Sequence, residues 1–317
     1  MAFFDLHCDT ISECYVKGQG LRTNGLALSL SKGKALSPWC QTFALFLPDE
    51  LRGQAAIRRY EALLATFRRE MAENADLVTP CLTAEEILQE TSAGRCAALL
   101  AVENGSALAG DLNRADRLAE DGVRLLTLTW NGDNELGCGA KGSGGGLTPF
   151  GRKAVRRMRE KGIFCDVSHL NERGFWEVAE LGDAPLVATH SNFKSVCDHP
   201  RNLTDDQFRA VVASGGLVGL NFYRVFLGGE PFEAVYAHLC HALDLGGEDC
   251  VAFGSDFDGA EMDFPLNSVD KMADLCENLE KRGLPSATLE KLCWGNALRL
   301  FRKEETSWIT PAPATGV

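Results

Sequence analysis

The chain has 317 residues, of which 45% are hydrophobic and 24% charged, with 12 cysteines, a formal net charge of −12 and an isoelectric point near 5.1. This is a globular composition, and its acidic balance argues against a nucleic-acid groove or an anionic membrane as partner, since both reward a basic surface. No two cysteines lie within three residues of each other, which disfavours zinc-ribbon and thioredoxin-type sites and makes a reducing cytoplasm the simplest setting.

Apolar runs rich in strand-forming residues recur along the chain. They are 2–7 (AFFDLH), 40–47 (CQTFALFL), 96–103 (CAALLAVE), 123–130 (VRLLTLTW), 163–169 (IFCDVSH), 185–190 (PLVATH), 217–223 (LVGLNFY) and 250–256 (CVAFGSD). Most are continuous rather than alternating, as expected of parallel strands covered on both faces. Helical patterns fall between them, at 50–73, 111–121, 148–162, 171–181, 203–216, 231–245, 268–282 and 285–302. The pattern at 148–162 opens with a Thr cap and Pro149 and stops at Gly162, and that at 203–216 has a Thr cap with acidic residues following. No signal peptide is expected ahead of the first strand, and no apolar run reaches the roughly 18 residues of a membrane-spanning helix.

Eight strand–helix units predict a (β/α)8 TIM barrel over residues 1–305, with 306–317 as a loose C-terminal tail. An open doubly wound sheet is disfavoured because no GxGxxG turn follows any strand.

The carboxyl ends of these strands share one feature. His7 and Asp9 follow the first, Glu103 ends the third, His169 the fifth, His190 the sixth and Asp256 the eighth. In a barrel these ends converge on the face where active sites are built. Imidazole nitrogens and carboxylate oxygens are good ligands for zinc and similar ions. Three histidines, an Asp and a Glu exceed the needs of one tetrahedral ion and suit two ions sharing a carboxylate. Such a pair supplies an ionised bridging water and polarises a carbonyl, so hydrolysis is the expected chemistry. The remaining histidines read differently: His199 as a turn residue beside Pro200, His238 and His241 as structural groups in a helix.

The segments DLHCDT, VENG, DVSH, THS with RN eleven residues beyond its histidine, and GSDFDG together resemble the membrane dipeptidase (renal dipeptidase) family of zinc metallopeptidases, in matching order from about residue 3 to 302. The resemblance implies two zinc ions, one held by His7, Asp9 and a bridging Glu103, the other by Glu103, His169 and His190. It implies that Arg201 binds the C-terminal carboxylate of a dipeptide through its planar fork. Asp256 is implied as the group that takes a proton from the attacking water, passes it to the leaving amine and contacts the substrate's amino group. The substrate so implied is a small dipeptide, with a D-residue at its C-terminal position among the family's traits, and a homodimer is compatible with the family. Another carboxylate-bearing amide, an N-acyl amino acid or a lactam, is the alternative substrate.

Three departures from the family pattern stand out. Trp130 occupies the place of a histidine that helps hold the substrate carbonyl, and an indole N–H donates one hydrogen bond without carrying charge. Asn104 replaces a glycine after Glu103. The tryptophan expected after the His-x-Asp motif is absent, which leaves Tyr223 and Phe226 as candidate cleft walls. The glycine-rich stretch 137–147 is a candidate mobile loop over the cleft; it lacks the spacing of a phosphate cradle.

Overall fold

In a computed structural model, which describes residues 1–182 and 184–308, the apolar runs pair side by side as β1 (Phe3–Cys8), β2 (Trp39–Phe46), β3 (Val78–Pro80), β4 (Cys96–Glu103), β5 (Val123–Thr127), β6 (Phe164–Asp166), β7 (Val187–Ala188), β8 (Leu217–Leu220) and β9 (Val251–Phe253). All pairings between them are parallel. The order β2-β1-β9-β8-β7-β6-β5-β4 closes on itself through β2 and β4, making the expected (β/α)8 barrel. The ninth strand, β3, lies outside the ring and pairs only with the first half of β4, Val78 opposite Cys96 and Pro80 opposite Ala98. It was not expected: three residues ending in proline carry no strand signal of their own, and a proline is tolerated there because the strand sits at an edge.

β4 shows how the layers separate. Ala97, Leu99 and Ala101 pack with Phe4, Leu6, Leu125 and Ala252 inside the barrel. Ala98, Leu100 and Val102 face outward and pack with Leu63 and Phe67 of the helix Gln54–Glu73. Successive strand residues point to opposite faces, so a run buried on both sides must be apolar throughout. The last helix, Asn296–Trp308, plugs the amino-terminal mouth of the barrel. Phe301 stacks on Phe4 at 5.8 Å between centroids and meets Phe164 edge-on at 5.4 Å. The expected tail 306–317 lies, from residue 309 onward, outside the described residues.

The helices start where the sequence caps them. Thr148 accepts from Gly151 N ahead of Pro149–Glu160, and Thr204 and Gln207 cap each other's backbone ahead of Asp205–Ser214, a helix that ends at Gly215 with a positive φ of 66°. Three short helices went unanticipated: Thr10–Lys17, Ala84–Ser92 and Arg224–Leu227. The expected helix 285–302 is interrupted by a π turn at Lys291–Gly295.

Five strands end two or three residues earlier than their apolar runs suggest. The run to 169 stops as strand at Asp166, and the run to 256 stops at Phe253. His169 and Asp256 adopt left-handed φ values of 67° and 64°, which a strand ladder cannot accommodate. These residues leave the ladder to turn their side chains over the barrel's carboxyl end.

Close approach also fixes two glycines. A Cβ at Gly254 would lie 1.7 Å from Thr189 O, and one at Gly219 2.0 Å from the same oxygen. Gly254→Ala is therefore expected to push apart the loops that carry His190 and Asp256. The expected cost is about 1–3 kcal/mol of stability, read as a lower urea midpoint at unchanged slope.

Candidate active site

At the carboxyl end of the barrel the six titratable residues singled out in the sequence meet. Glu103, at the tip of β4, is central. His169 Nε2 lies 3.0 Å and His190 Nε2 3.7 Å from its Oε1, and His7 Nε2 lies 3.5 Å from its Oε2. His7 Nε2 is also 3.4 Å from Asp9 Oδ2 and 3.9 Å from Asp256 Oδ1. The His7 and His190 rings approach to 3.9 Å between centroids. All six side chains are buried. The β1–β2 register shifts between Asp5 and Cys8, an irregularity of the kind that re-aims side chains beside active sites.

Two of the three imidazoles, those of His190 and His169, are oriented from behind. His190 Nδ1 lies 2.8 Å from Thr189 Oγ1, whose hydroxyl donates to Asp166 at 2.6 Å. His169 Nδ1 lies 3.2 Å from Asn131 Oδ1. Asn221 donates to Asp256 Oδ2 at 3.0 Å, leaving Oδ1 toward the cavity side and His7. These supports were not foreseen. Asp5, Asp166 and Asn221 stand in or just past apolar strand runs, and a polar residue in such a run is the one signal the sequence offered for them.

The electrostatics are those of a site made for cations. Burial pushes Asp9 up to about 8, and the neighbouring Glu103 charge adds to the shift. Burial likewise raises Asp256 to about 6, against the opposing pull of His7. Burial would raise Glu103 too, but the adjacent His169 and His7 imidazoles win and hold it low. Burial would lower His7, but Asp9 and Glu103 raise it well above an ordinary imidazole. Burial and Arg201 lower His169 to about 4.

His7 Nε2, His190 Nε2 and Asp9 Oδ1 are buried without hydrogen-bond partners, a costly condition unless something binds them. Among the described residues three groups, Glu103–His169–His190, His7–Asp9–Asp256 and His7–Asp166–His190, have ligand atoms close enough to share an ion. Gly259 clears the space beside the second: a Cβ there would meet Asp9 Oδ2 at 2.1 Å and Asp256 Oδ1 at 2.6 Å. Oxygen and nitrogen donors of this kind fit zinc or a similar divalent ion.

A cleft of about 720 Å3 opens over these groups. Arg201, implied by the resemblance as the carboxylate-binding residue, lines this cleft and is buried. Its Nη2 donates to His190 O at 3.3 Å, its guanidinium lies 5.3 Å from the Phe226 ring centroid, and its Nε is unpartnered. Trp130 lines the cleft and packs edge-on against Phe46 at 5.0 Å. Tyr223 and Phe226 form a wall, as anticipated, and His199 joins them while its Nδ1 accepts from Arg201 N at 3.1 Å. His238 is structural: its Nδ1 accepts from Phe193 N, and its Nε2 lies 3.0 Å from Leu227 O. His241 pairs with Asp205 at 2.8 Å.

The model of the membrane dipeptidase family, peptidase family M19, matches residues 1–312. The chain belongs to this family. Among solved structures, a metallopeptidase of Rhodobacter sphaeroides, solved with a phosphinate mimic of the dipeptide L-Ala-D-Ala, is 28% identical with a TM-score of 0.91 over 96% of this chain and 99% of that one. A second structure, an M19 dipeptidase, is 30% identical with a TM-score of 0.91 over 98% and 99%. By sequence, an uncharacterised protein of Klebsiella pneumoniae is 34% identical over 75% of this chain and 93% of its own length. The dipeptidase VerJ of Clonostachys rogersoniana is 30% identical over 78% and 67%. This M19 protein is thus a member of a family of metallodipeptidases. Among its described residues no helix is long and apolar enough to cross a membrane.

The His7 and Asp256 side of the site is anchored by Asp5, which accepts from Ser255 N at 2.8 Å, Ser255 Oγ at 2.6 Å and Gln41 Nε2 at 2.8 Å. It ties β1, which carries His7, to β2 and to the turn that carries Asp256. Asp5→Ala leaves these donors short of an acceptor. The expected loss is about 2–3 kcal/mol, measured by thermal or urea unfolding.

Proposed function

We propose that this protein hydrolyses the peptide bond of dipeptides with free termini, a D-residue at the C-terminal position included, using two divalent ions, zinc by preference. The observation that carries this reading is the buried Glu103 flanked by His7, His169 and His190, with two unpartnered imidazole nitrogens beside it. His7, Asp9 and Glu103 would hold one ion, and Glu103, His169 and His190 the other. Bound there, the ions supply an ionised water at neutral pH and polarise the scissile carbonyl.

The protein's own groups do the rest. Arg201, buried and without a carboxylate partner, takes the substrate's C-terminal carboxylate. Its loss of solvent is reflected in a guanidinium lowered to about 10, with burial as the main cause. Asp256, its Oδ2 fixed by Asn221, uses Oδ1 to take the proton of the attacking water and delivers it to the leaving amine nitrogen. The indole of Trp130 stands at the cleft wall, where its N–H is available to the substrate carbonyl, and with Phe46 it keeps that wall apolar. Confinement between Arg201 and Asp256 limits the substrate to two residues. The reading includes a cytoplasmic enzyme, a single barrel domain over 1–305 and a homodimer as compatible with the family.

The test is metal content on the purified protein together with a panel of L-Xaa-L-Xaa and L-Xaa-D-Xaa dipeptides. About two zinc ions per chain with cleavage are expected; protein that takes up no metal when zinc is supplied refutes the proposal. His7→Ala or Asp9→Ala is expected to lose about one ion and most of the activity. Asp256→Asn should retain its metal while kcat falls about 100-fold or more, and a fully active Asp256→Asn removes this residue from proton transfer. Arg201→Lys keeps the charge but loses the fork, so KM should rise about tenfold with a smaller change in kcat.

A further inference from the structure

Three cationic side chains line the cleft without a carboxylate partner among the described residues. Arg201 is one, and Arg59, which donates to Phe46 O at 3.4 Å and lies 4.9 Å from the Tyr15 ring centroid, is another. The third is Lys141, an exposed lysine of the glycine-rich segment, whose ammonium has neither an acceptor nor an ion-pair partner among the described residues. The carboxylates at the cleft mouth are, by contrast, already engaged. Glu13 pairs with Lys17 at 2.8 Å and Glu261 with Arg224 at 2.7 Å. Asp258 accepts from Thr10 Oγ1 and from Ala27 N, both at 2.6 Å.

Lys141 is not at the tip of a loose loop. Its backbone N donates to Asn131 O at 2.8 Å, Ala140 N donates to His169 O at 2.8 Å and Gly139 N to Gly132 O at 2.9 Å. Gly139 runs so close to this wall that a Cβ would lie 2.2 Å from Trp130 O. The backbone under Lys141 is therefore pinned to the segments that carry Trp130 and His169, and only the four-carbon stem is free. Lys141 lines the same cleft as Arg201 and His199, and His199 is lowered first by burial, then by the Arg201 and Lys141 charges. Arg201 and Lys141 thus give this part of the cleft its positive charge, with the uncharged His199 ring, Tyr223 and Phe226 beside them.

We propose that Lys141 is a specificity-determining residue that selects dipeptides whose C-terminal residue carries a side-chain carboxylate. This rests on the dipeptidase reading given above. With the main-chain carboxylate on the buried fork of Arg201, the side chain of the same residue departs from the adjacent carbon. An aspartyl or glutamyl side chain then brings a second carboxylate to the unpaired ammonium. Arg201 suits the fixed, desolvated carboxylate, and a lysine on a flexible stem suits a group whose position varies with side-chain length.

The test is steady-state hydrolysis of Ala-Glu, Ala-Gln and Ala-Lys by the zinc-loaded wild type and by Lys141→Met and Lys141→Glu. Wild type is expected to favour Ala-Glu over the neutral isostere Ala-Gln by about five- to tenfold in kcat/KM, carried by KM. The preference should shrink in about 0.5 M salt, because Lys141 is exposed. Lys141→Met should bring the Ala-Glu to Ala-Gln ratio to about one, and Lys141→Glu should turn the preference toward Ala-Lys. A wild-type ratio near one, or a ratio that survives in Lys141→Met, overturns the inference while leaving the dipeptidase reading intact. So does an equal rise in KM for all three substrates in Lys141→Met, which would assign Lys141 to the main-chain carboxylate. Failure of wild type to cleave any of the three overturns both.

Discussion

The burial of Glu103 among three histidines is the constraint on which the carboxyl end of this barrel is organised. A carboxylate removed from water and set 3.0–3.7 Å from three imidazole nitrogens is tolerable only where its charge is answered. Protonated histidines can answer it in part, and His7 is raised accordingly. But His190 is driven well below an ordinary imidazole by burial and by the neighbouring His7. A single proton distribution cannot satisfy His7, His190, Asp9 and Glu103 together. Cations of higher charge can, and the unpartnered nitrogens of His7 and His190 are the structural mark of that need.

Such a site must be rigid, since ligands that relax toward one another would neutralise themselves by collapse. The rigidity comes from a layer of ordinary hydrogen bonds below the ligands. Asp166 accepts from Thr127, Thr189 and the Ser168 and Thr189 amides, joining β5, β6 and β7 beneath His169 and His190. Asp5 does the same for β1, β2 and the turn after β9. These two carboxylates fill their acceptor positions with hydroxyl, amide and backbone donors, whereas Asp9 keeps an unpartnered oxygen and Glu103 faces only imidazole nitrogens. Burial alone is the same for all four; partner count separates the ones that hold the fold from those left over for a ligand.

Much of this was legible in the sequence because the barrel forces it to be. Continuous apolar runs gave the eight barrel strands, and a titratable residue at the end of one run after another is a pattern that only convergence explains. What was hidden is what pairing decides. β3 exists because β4 offers it an edge, not because Val78–Pro80 reads as a strand. Two of the early strand ends, those before His169 and Asp256, go with a left-handed φ at these residues, and nothing in the residue names announces it. Arg201 reads as a loop residue until the chain after His190 folds it under the cleft. The glycine-rich segment reads as mobile, yet its backbone is bonded to the walls at Asn131, Gly132 and His169. Glycine there permits close approach rather than motion: Gly139 clears Trp130 O, and Gly142 clears Asp133 Oδ1.

The charge of the whole molecule and that of the cleft point in opposite directions. With a net charge of −12, the surface repels carboxylates at long range, but at physiological ionic strength that field is screened beyond about 8 Å. Inside the cleft the balance differs. Two divalent ions and Arg201 would outweigh Asp9, Glu103 and Asp256, so the floor would be positive where a dipeptide's carboxylate must dock. The acidic groups at the mouth do not undo this, because Lys17, Arg224 and the hydroxyl and amides around Asp258 already engage them. An anionic substrate thus meets its attraction only after entering, at short range and from fixed groups. Discrimination then depends on where the cations sit along the cleft rather than on how strongly the protein gathers substrate from solution.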